Sequence, residues 1–286
     1  MEYTLSSLAR GVEEAHVSLG EYVLALQSED MGVSPDEIIE RMDRNLSVME
    51  GSRRQGLTEG LRSHSGLTGG DALRLERSGG RLCGDFCREA MVTALAIAEC
   101  NAAMGRIVAS PTAGSCGILP AAVLTCMEQK NVSRREACLA LIAAGGIGLV
   151  IAVKAGISGA AGGCQAECGS AAAMAAAAVT ELMGGTPDDA IHACAIAIKN
   201  QLGLICDPVA GLVEVPCIKR NAGGVMCAIM AAELALAGVR SVIPPDEVLT
   251  AMREAGDKMP CEFRETAKGG LANTPTGRKI AEEKLK

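Results

Sequence analysis

Aromatic residues are nearly missing from this chain of 286 residues, and their scarcity constrains its fold more than any other feature. The chain has two Tyr, two Phe and no Trp, although 49% of its residues are hydrophobic. The apolar side chains are therefore mainly Ala, Leu, Ile, Val and Met, interspersed with 34 Gly. Ala and Leu favour helices, and runs of β-branched or aromatic residues at strand periodicity are scarce. The composition predicts an all-α fold with closely packed helices.

Charge and cysteine content narrow the class of protein. The formal net charge is −7, and the basic residues form only short groups such as Lys219-Arg220, so we expect no nucleic-acid partner. The 13 cysteines are odd in number, and the chain is too long for a small disulfide-stapled domain. The first residues are polar and do not resemble a signal peptide. We predict a cytoplasmic protein whose thiols are buried side chains or metal ligands.

One apolar segment is long enough to suggest a membrane span. Residues 137–153 contain no polar side chain apart from one cysteine, and this length is at the lower limit for a spanning helix. The segment contains three glycines and follows Ser133 and Glu136, which have the spacing of a helix capping box. We predict a buried core helix and no membrane contact.

Glycine-rich loops alternate with helical segments along most of the chain. We divide it into an N-terminal helical segment (residues 1–62), a single all-α domain (63–280) and a polar tail (281–286). In the first segment Ser34, followed by Pro35, marks a helix start. In the domain the loops carry the residue types that bind ligands, and loops positioned by a rigid scaffold are common functional sites.

Three of these loops present a cysteine beside glycine or proline. Cys164 follows two glycines, Cys206 precedes an Asp-Pro pair, and Cys217 follows a proline. Such positions allow thiolates to turn toward a shared centre, as in iron–sulfur proteins. The spacing contains no tight CxxC pair, so zinc and ferredoxin-type sites are not indicated. From the residues alone, cluster ligation and buried free thiols both remain open.

Five loop segments resemble the iron–sulfur-dependent L-serine dehydratases, specifically the α chain of the two-chain enzymes. They are Ser65–Asp71, Ser110–Gly117, Gly163–Gly169, Cys206–Asn221 and Leu271–Gly277. The resemblance implies an all-helical catalytic domain whose loops converge on a [4Fe–4S] cluster. Its three protein ligands fall on Cys164, Cys206 and Cys217, which leaves one iron open to act as a Lewis acid.

The resemblance also implies the reaction, in which a carbon–oxygen lyase (L-serine ammonia-lyase) converts L-serine to pyruvate and ammonia. This reaction belongs to amino-acid catabolism and gluconeogenesis. The base that removes the α-proton stays open between His64 and Lys219. The expected substrate-binding residues lie in two of the loops and after Cys217: Ser65, Thr68, Ser110, Thr112, Gly114 and Asn221.

Two departures from the family pattern concern partners and regulation. The Ser-Ser-His-Thr motif of the family's β-type domain is missing from this sequence, so we expect a β subunit. The sequence ends in Glu-Glu-Lys-Leu-Lys, without the terminal cysteine that caps the open iron in some single-chain relatives. Two alternatives are a cluster-dependent L-cysteine desulfidase and a non-catalytic iron–sulfur scaffold subunit.

Overall fold

The computed structural model describes residues 4–284 of the chain. Within this range the protein consists of α-helices and short 3₁₀ and π-helical turns without a β-strand, and one isolated parallel bridge joins Cys206 and Arg264. The predicted all-α fold is confirmed. The α-helices are Leu5–Ala15 (α1), Leu19–Met31 (α2), Pro35–Gly56 (α3), Asp71–Arg77 (α4), Asp85–Ala102 (α5), Ile118–Gln129 (α6), Arg134–Lys154 (α7), Gly159–Gly162 (α8), Ser170–Leu182 (α9), Pro187–Lys199 (α10), Cys217–Leu236 (α11), Pro245–Asp257 (α12) and Pro275–Lys284 (α13).

The alanine-rich helix α9 lies at the centre of the fold. Every residue from Ser170 to Thr180 is buried. Helix α9 packs against α6, α7, α10 and α11. Because the distance between packed helices depends on their side chains, the short alanines allow a close approach. The central helices can therefore pack closely without large aromatic side chains.

Helix α7 contains the long apolar segment. By length and composition it could cross a membrane, and it is the one helix of this kind within residues 4–284. Most of its residues are buried, and it packs against α2 and α9. Ser133 and Glu136 form the predicted capping box at its start, and the Glu136 carboxylate accepts from the Ser133 N–H at 2.7 Å. The predicted cap and the core position of this helix are confirmed.

The first three helices join the same hydrophobic core as the later ones. Leu5, Leu19 and Leu46 are buried, α2 packs on α7, and α3 packs on α5. At the other end, α13 extends to Lys284 within the predicted polar tail, while residues 285–286 lie outside the described part. The division at residues 62 and 280 stays a prediction based on sequence.

The carboxyl group of Glu181 connects the end of α9 to the start of α2. Its Oε1 accepts from the Gly20 N–H at 2.8 Å. Burial, reinforced by the charge of Glu21, raises the pKa of Glu181 from 4.5 to about 7. A carboxyl whose pKa is raised by folding weakens the folded state as the pH rises through this interval.

We therefore expect Glu181→Gln to stabilise the protein only where Glu181 is ionised. The free energy of unfolding should increase by up to about 3 kcal/mol near pH 8 and change little near pH 4. Urea unfolding of both proteins at the two pH values measures this difference. An equal change at both pH values would show that ionisation of Glu181 is not its cause.

Candidate functional site

Four loops meet where the helices around α9 begin or end. They comprise residues 103–117, 155–169, 200–216 and 258–274. Hydrogen bonds connect them: the Gln165 N–H donates to the Leu204 carbonyl at 2.9 Å, and the Cys206 N–H donates to the Phe263 carbonyl at 2.8 Å. The 103–117 loop is bound to the start of α11, where Asn221 Nδ2 donates to the Gly114 carbonyl at 2.8 Å. The loops that sequence analysis singled out for their Gly and Cys residues therefore lie together.

Cys164 lies directly after a turn that requires glycine. Gly163 has a φ of +77°, and a Cβ at this position would lie 2.5 Å from Met259 Sδ. The Cys164 side chain is buried, and the π-helical turn Gln165–Gly169 follows before α9 begins. Such π-helical turns occur frequently at functional sites. The turn holds the Cys164 thiol in the protein interior.

Cys206 and Cys217 lie at the two ends of one loop. The Cys206 N–H donates to the Phe263 carbonyl at 2.8 Å, and the Cys206 carbonyl accepts from the Glu265 N–H at 2.9 Å. Cys217 is the first residue of α11. Cys206 is buried and Cys217 is partly buried. The backbone near Phe263 holds one thiol in place, and the start of a helix holds the other.

The three thiols lie within electrostatic range of one another. Burial, with a contribution from the charge of Cys164, raises the pKa of Cys217 to about 12. The same two causes raise the pKa of Cys206 well above its ordinary value. Because charges interact more weakly as their separation grows, these effects indicate that the sulfurs lie near one another.

A metal centre in this site could be a single ion or an iron–sulfur cluster, and the two need different arrangements of ligands. Within residues 4–284, no three His, Cys, Asp or Glu side chains are close enough to share one metal ion. In a cubane iron–sulfur cluster each cysteine binds a different iron, so its ligands stand farther apart than those of a single ion. The three thiols are of the residue type that holds such clusters.

Two neighbours distinguish Cys164 from the other thiols. Its Sγ is hydrogen-bonded to Cys168 Sγ at 3.3 Å, and this bond lowers the pKa of Cys164 and raises that of Cys168. The positive charge of Arg220 also lowers the pKa of Cys164. Arg220 in turn donates to Asp207 Oδ1 and to the Ile205 carbonyl, each at 2.8 Å. Of the two neighbouring cysteines, Cys164 is therefore the one with the lower pKa.

Glu167 is a carboxylate in the same site that sequence analysis did not single out. Its Oε2 lies 4.0 Å from Cys206 Sγ. A Cβ at Gly159 would lie 2.7 Å from this oxygen, and a Cβ at Gly114 would lie 3.3 Å from Oε1. Burial raises the pKa of Glu167, while a hydrogen bond with Thr112 lowers it. Glu167 belongs to the Gly163–Gly169 segment, one of the five segments that carry the family resemblance. Its place in that segment is the sequence signal that could have identified it.

Asn221 connects the Ser110–Gly117 loop to the start of α11. Its Oδ1 accepts from the Gly117 N–H at 2.8 Å, and its Nδ2 donates to the carbonyls of Gly114 (2.8 Å) and Cys217 (2.9 Å). The Asn221 side chain is buried. These bonds set the position of the loop relative to Cys217.

The hydroxyl residues of this loop have different surroundings. Ser110 is buried, whereas Thr112 is partly exposed and its Oγ1 lies 3.0 Å from Ser115 Oγ. Thr112 also contacts Glu167, as described above. Thr112 and Gly114 therefore border the same site as the cysteines.

Ser65 and Thr68 contact the site through Glu214. The Glu214 carboxylate is buried and accepts from Ser65 Oγ and Thr68 Oγ1, each at 2.9 Å. Glu214 belongs to the loop that connects Cys206 and Cys217. The two hydroxyls therefore hold this loop, a contact that sequence analysis did not predict because the partners are far apart in the chain.

The two candidate bases are exposed. The His64 side chain lies at the surface, and its backbone N–H donates to the Ala102 carbonyl at 2.9 Å. Lys219 forms an ion pair with Asp71 at the start of α4. The choice between His64 and Lys219 as base stays a prediction.

The fold and the site define an all-helical protein with a thiol-rich centre built from glycine-rich loops. Residues 14–272 match the family model of the serine dehydratase alpha chain. The chain therefore belongs to the serine dehydratase alpha-chain family.

Curated relatives carry matching names. A probable L-serine dehydratase alpha chain from Bacillus subtilis is 51% identical over 271 residues, which cover 94% of this chain and 90% of the relative. The L-serine dehydratase alpha chain of Peptoniphilus asaccharolyticus is 45% identical over 276 residues, with coverage of 96% and 94%. An L-serine dehydratase of Streptomyces coelicolor is 38% identical over 280 residues, covering 94% of this chain and 60% of the relative.

Proposed function

We propose that this chain is the α subunit of an L-serine dehydratase, a lyase that converts L-serine to pyruvate and ammonia. Membership of the alpha-chain family supports this proposal, because the α-chain relatives match almost over their full length. The observation that supports it is the electrostatic interaction among Cys164, Cys206 and Cys217, which lie in or beside loops that contact one another. We place the reaction in the cytoplasm, in amino-acid catabolism and gluconeogenesis.

In this proposal Cys164, Cys206 and Cys217 hold a [4Fe–4S] cluster. The chemistry of the donor set fits, because cysteine thiolates hold iron–sulfur clusters and these three thiols lie within electrostatic range of one another. When bound, an iron without a protein ligand supplies a Lewis acid for the hydroxyl and carboxylate of the substrate.

The residues around the cysteines have positioning roles. Arg220 lies beside the Cys164 thiolate, and Asn221 keeps the 110–117 loop beside Cys217. Glu214 fixes the loop between Cys206 and Cys217 through its two hydroxyl donors. Hydrogen bonds that restrict ligands in this way keep a site preorganised.

The substrate contacts come from the same loops. The backbone N–H groups and hydroxyls of Ser110, Thr112 and Gly114 offer hydrogen bonds to the carboxylate of L-serine. Ser65, Thr68 and Asn221 complete the proposed substrate-binding set. A base, His64 or Lys219, removes the α-proton, and the exposed position of both leaves them accessible to a partner chain.

We include a β subunit in the proposed enzyme. The names of the Bacillus and Peptoniphilus relatives describe them as alpha chains. The Streptomyces relative is longer, and this chain covers only 60% of it. A part that single-chain dehydratases carry in the same polypeptide is therefore expected from a second chain here.

The proposal is tested with protein prepared under anaerobic conditions. The chain, alone and mixed with its β chain, is supplied with L-serine and L-cysteine in parallel, and pyruvate is measured. We expect pyruvate from L-serine, with full activity only in the mixture. A strong preference for L-cysteine would indicate a desulfidase. A cluster-loaded mixture that acts on neither compound would indicate a scaffold subunit.

A further inference from the structure

Acidic side chains lie close to the cysteines of the candidate site. Glu167 lies beside the three cysteines, and the charge of Glu265 contributes to its raised pKa. Among the described residues near Cys164, Arg220 supplies positive charge, but it is already paired with the buried Asp207 at 2.8 Å. Because no ion pair of Glu167 is found among the described residues, its carboxylate favours a cationic group on the ligand that enters the site.

Glu167 differs from the carboxylates that have structural roles nearby. Glu214 accepts from two hydroxyls at 2.9 Å, and Glu99 accepts from the backbone N–H groups of Asp71 and Ala72 at 2.7 and 3.3 Å. Glu167 has a weaker set of partners among residues 4–284, namely the Thr112 hydroxyl and the Cys206 thiol at 4.0 Å. A carboxylate can accept about four hydrogen bonds. Glu167 therefore has acceptor capacity that the described contacts do not use.

Glycine backbone packs closely against Glu167 on two sides. Gly159 and Gly114 approach the two carboxylate oxygens so closely that a side chain at either position would contact them. Gly114 belongs to the loop that we expect to contact the substrate carboxylate. A ligand held by this loop would therefore lie within reach of Glu167.

We propose that Glu167 binds the α-ammonium group of the amino-acid substrate. This inference rests on the proposed function, and it names the group that distinguishes an amino acid from a simple hydroxy acid at this site. A charged N–H···O⁻ hydrogen bond is stronger than a neutral one, so Glu167 supplies both affinity and selectivity.

The test compares two inert ligands that differ only in the ammonium group. L-alanine and propanoate share a carboxylate and lack the hydroxyl that leaves in the reaction. Binding to cluster-loaded enzyme with its β chain is followed by competition with L-serine and by the visible spectrum of the cluster. The variants are Glu167→Gln and, as a matched control, Glu181→Gln at the opposite end of α9.

Glu167→Gln should weaken L-alanine binding about tenfold or more while changing propanoate binding by less than about twofold. The iron and sulfide contents should equal those of the wild type, and Glu181→Gln should leave both affinities unchanged. Equal weakening of both ligands, or loss of iron, would overturn the ammonium role while leaving the proposed function standing. A wild-type enzyme with neither cluster nor pyruvate formation would overturn both.

Discussion

Cys164→Ser, Cys206→Ser and Cys217→Ser should each remove nearly all of the iron and sulfide from anaerobically prepared protein. Each change replaces a thiolate with a hydroxyl, which is a far weaker ligand for iron. Because a centre held by three ligands depends on each of them, the losses should be similar. Iron and sulfide analysis, with the visible absorption of the cluster, measures the result.

Cys168→Ser is the matched control for Cys164→Ser. Cys168 lies four residues away, its sulfur is 3.3 Å from Cys164, and it is equally buried. A serine hydroxyl can still hydrogen-bond to the Cys164 sulfur, so we expect Cys168→Ser to keep its cluster. Cys138→Ser and Cys227→Ser serve as controls for buried thiols elsewhere in the core. Equal cluster loss in all six variants would contradict the ligand assignment.

Asn221→Ala should have the second largest effect, lowering both the stability of the protein and its turnover of L-serine. The change leaves the Gly117 N–H and the Gly114 and Cys217 carbonyls without their partner in a buried position. We expect a loss of about 2–4 kcal/mol in the free energy of unfolding, since each unsatisfied buried group costs about 1–3 kcal/mol. Serine turnover should fall at least about a hundredfold, because misplacement of a site by about an ångström costs this much.

Asn200→Ala is a suitable control for this prediction. Asn200 is exposed at the end of α10, and its Nδ2 donates to one carbonyl, that of Ile196, at 2.9 Å. We expect little change in stability or turnover from this substitution. Urea unfolding and pyruvate release measure both variants. If Asn221→Ala behaved like Asn200→Ala, the side chain of Asn221 would not hold the loop.

The helical fold could be predicted because its causes are local. The Ser133–Glu136 pair defines the start of α7 within one turn, and the scarcity of aromatic and β-branched runs excludes an extensive sheet. The buried position of α7 was predictable because its apolar run is short for a membrane span. These features depend on residues that are adjacent in the chain.

The candidate site was only partly predictable, because its contacts join distant segments. The position of these cysteines beside glycine or proline suggested Cys164, Cys206 and Cys217, but the resemblance selected them from 13 cysteines. Nothing local predicts that Ser65 meets Glu214, which lies 149 positions away in the chain. The environment of Glu167 was not predicted either, since it depends on close packing against Gly114 and Gly159.

We propose that this chain supports serine dehydration through a cluster held by three of its cysteines. The most direct measurement follows pyruvate formation from L-serine in preparations of chain and β chain with graded cluster content, before and after exposure to air. The rate of pyruvate formation should rise in proportion to cluster content, and pyruvate formation should stop when air destroys the cluster. Undiminished pyruvate formation by the iron-free protein would contradict it.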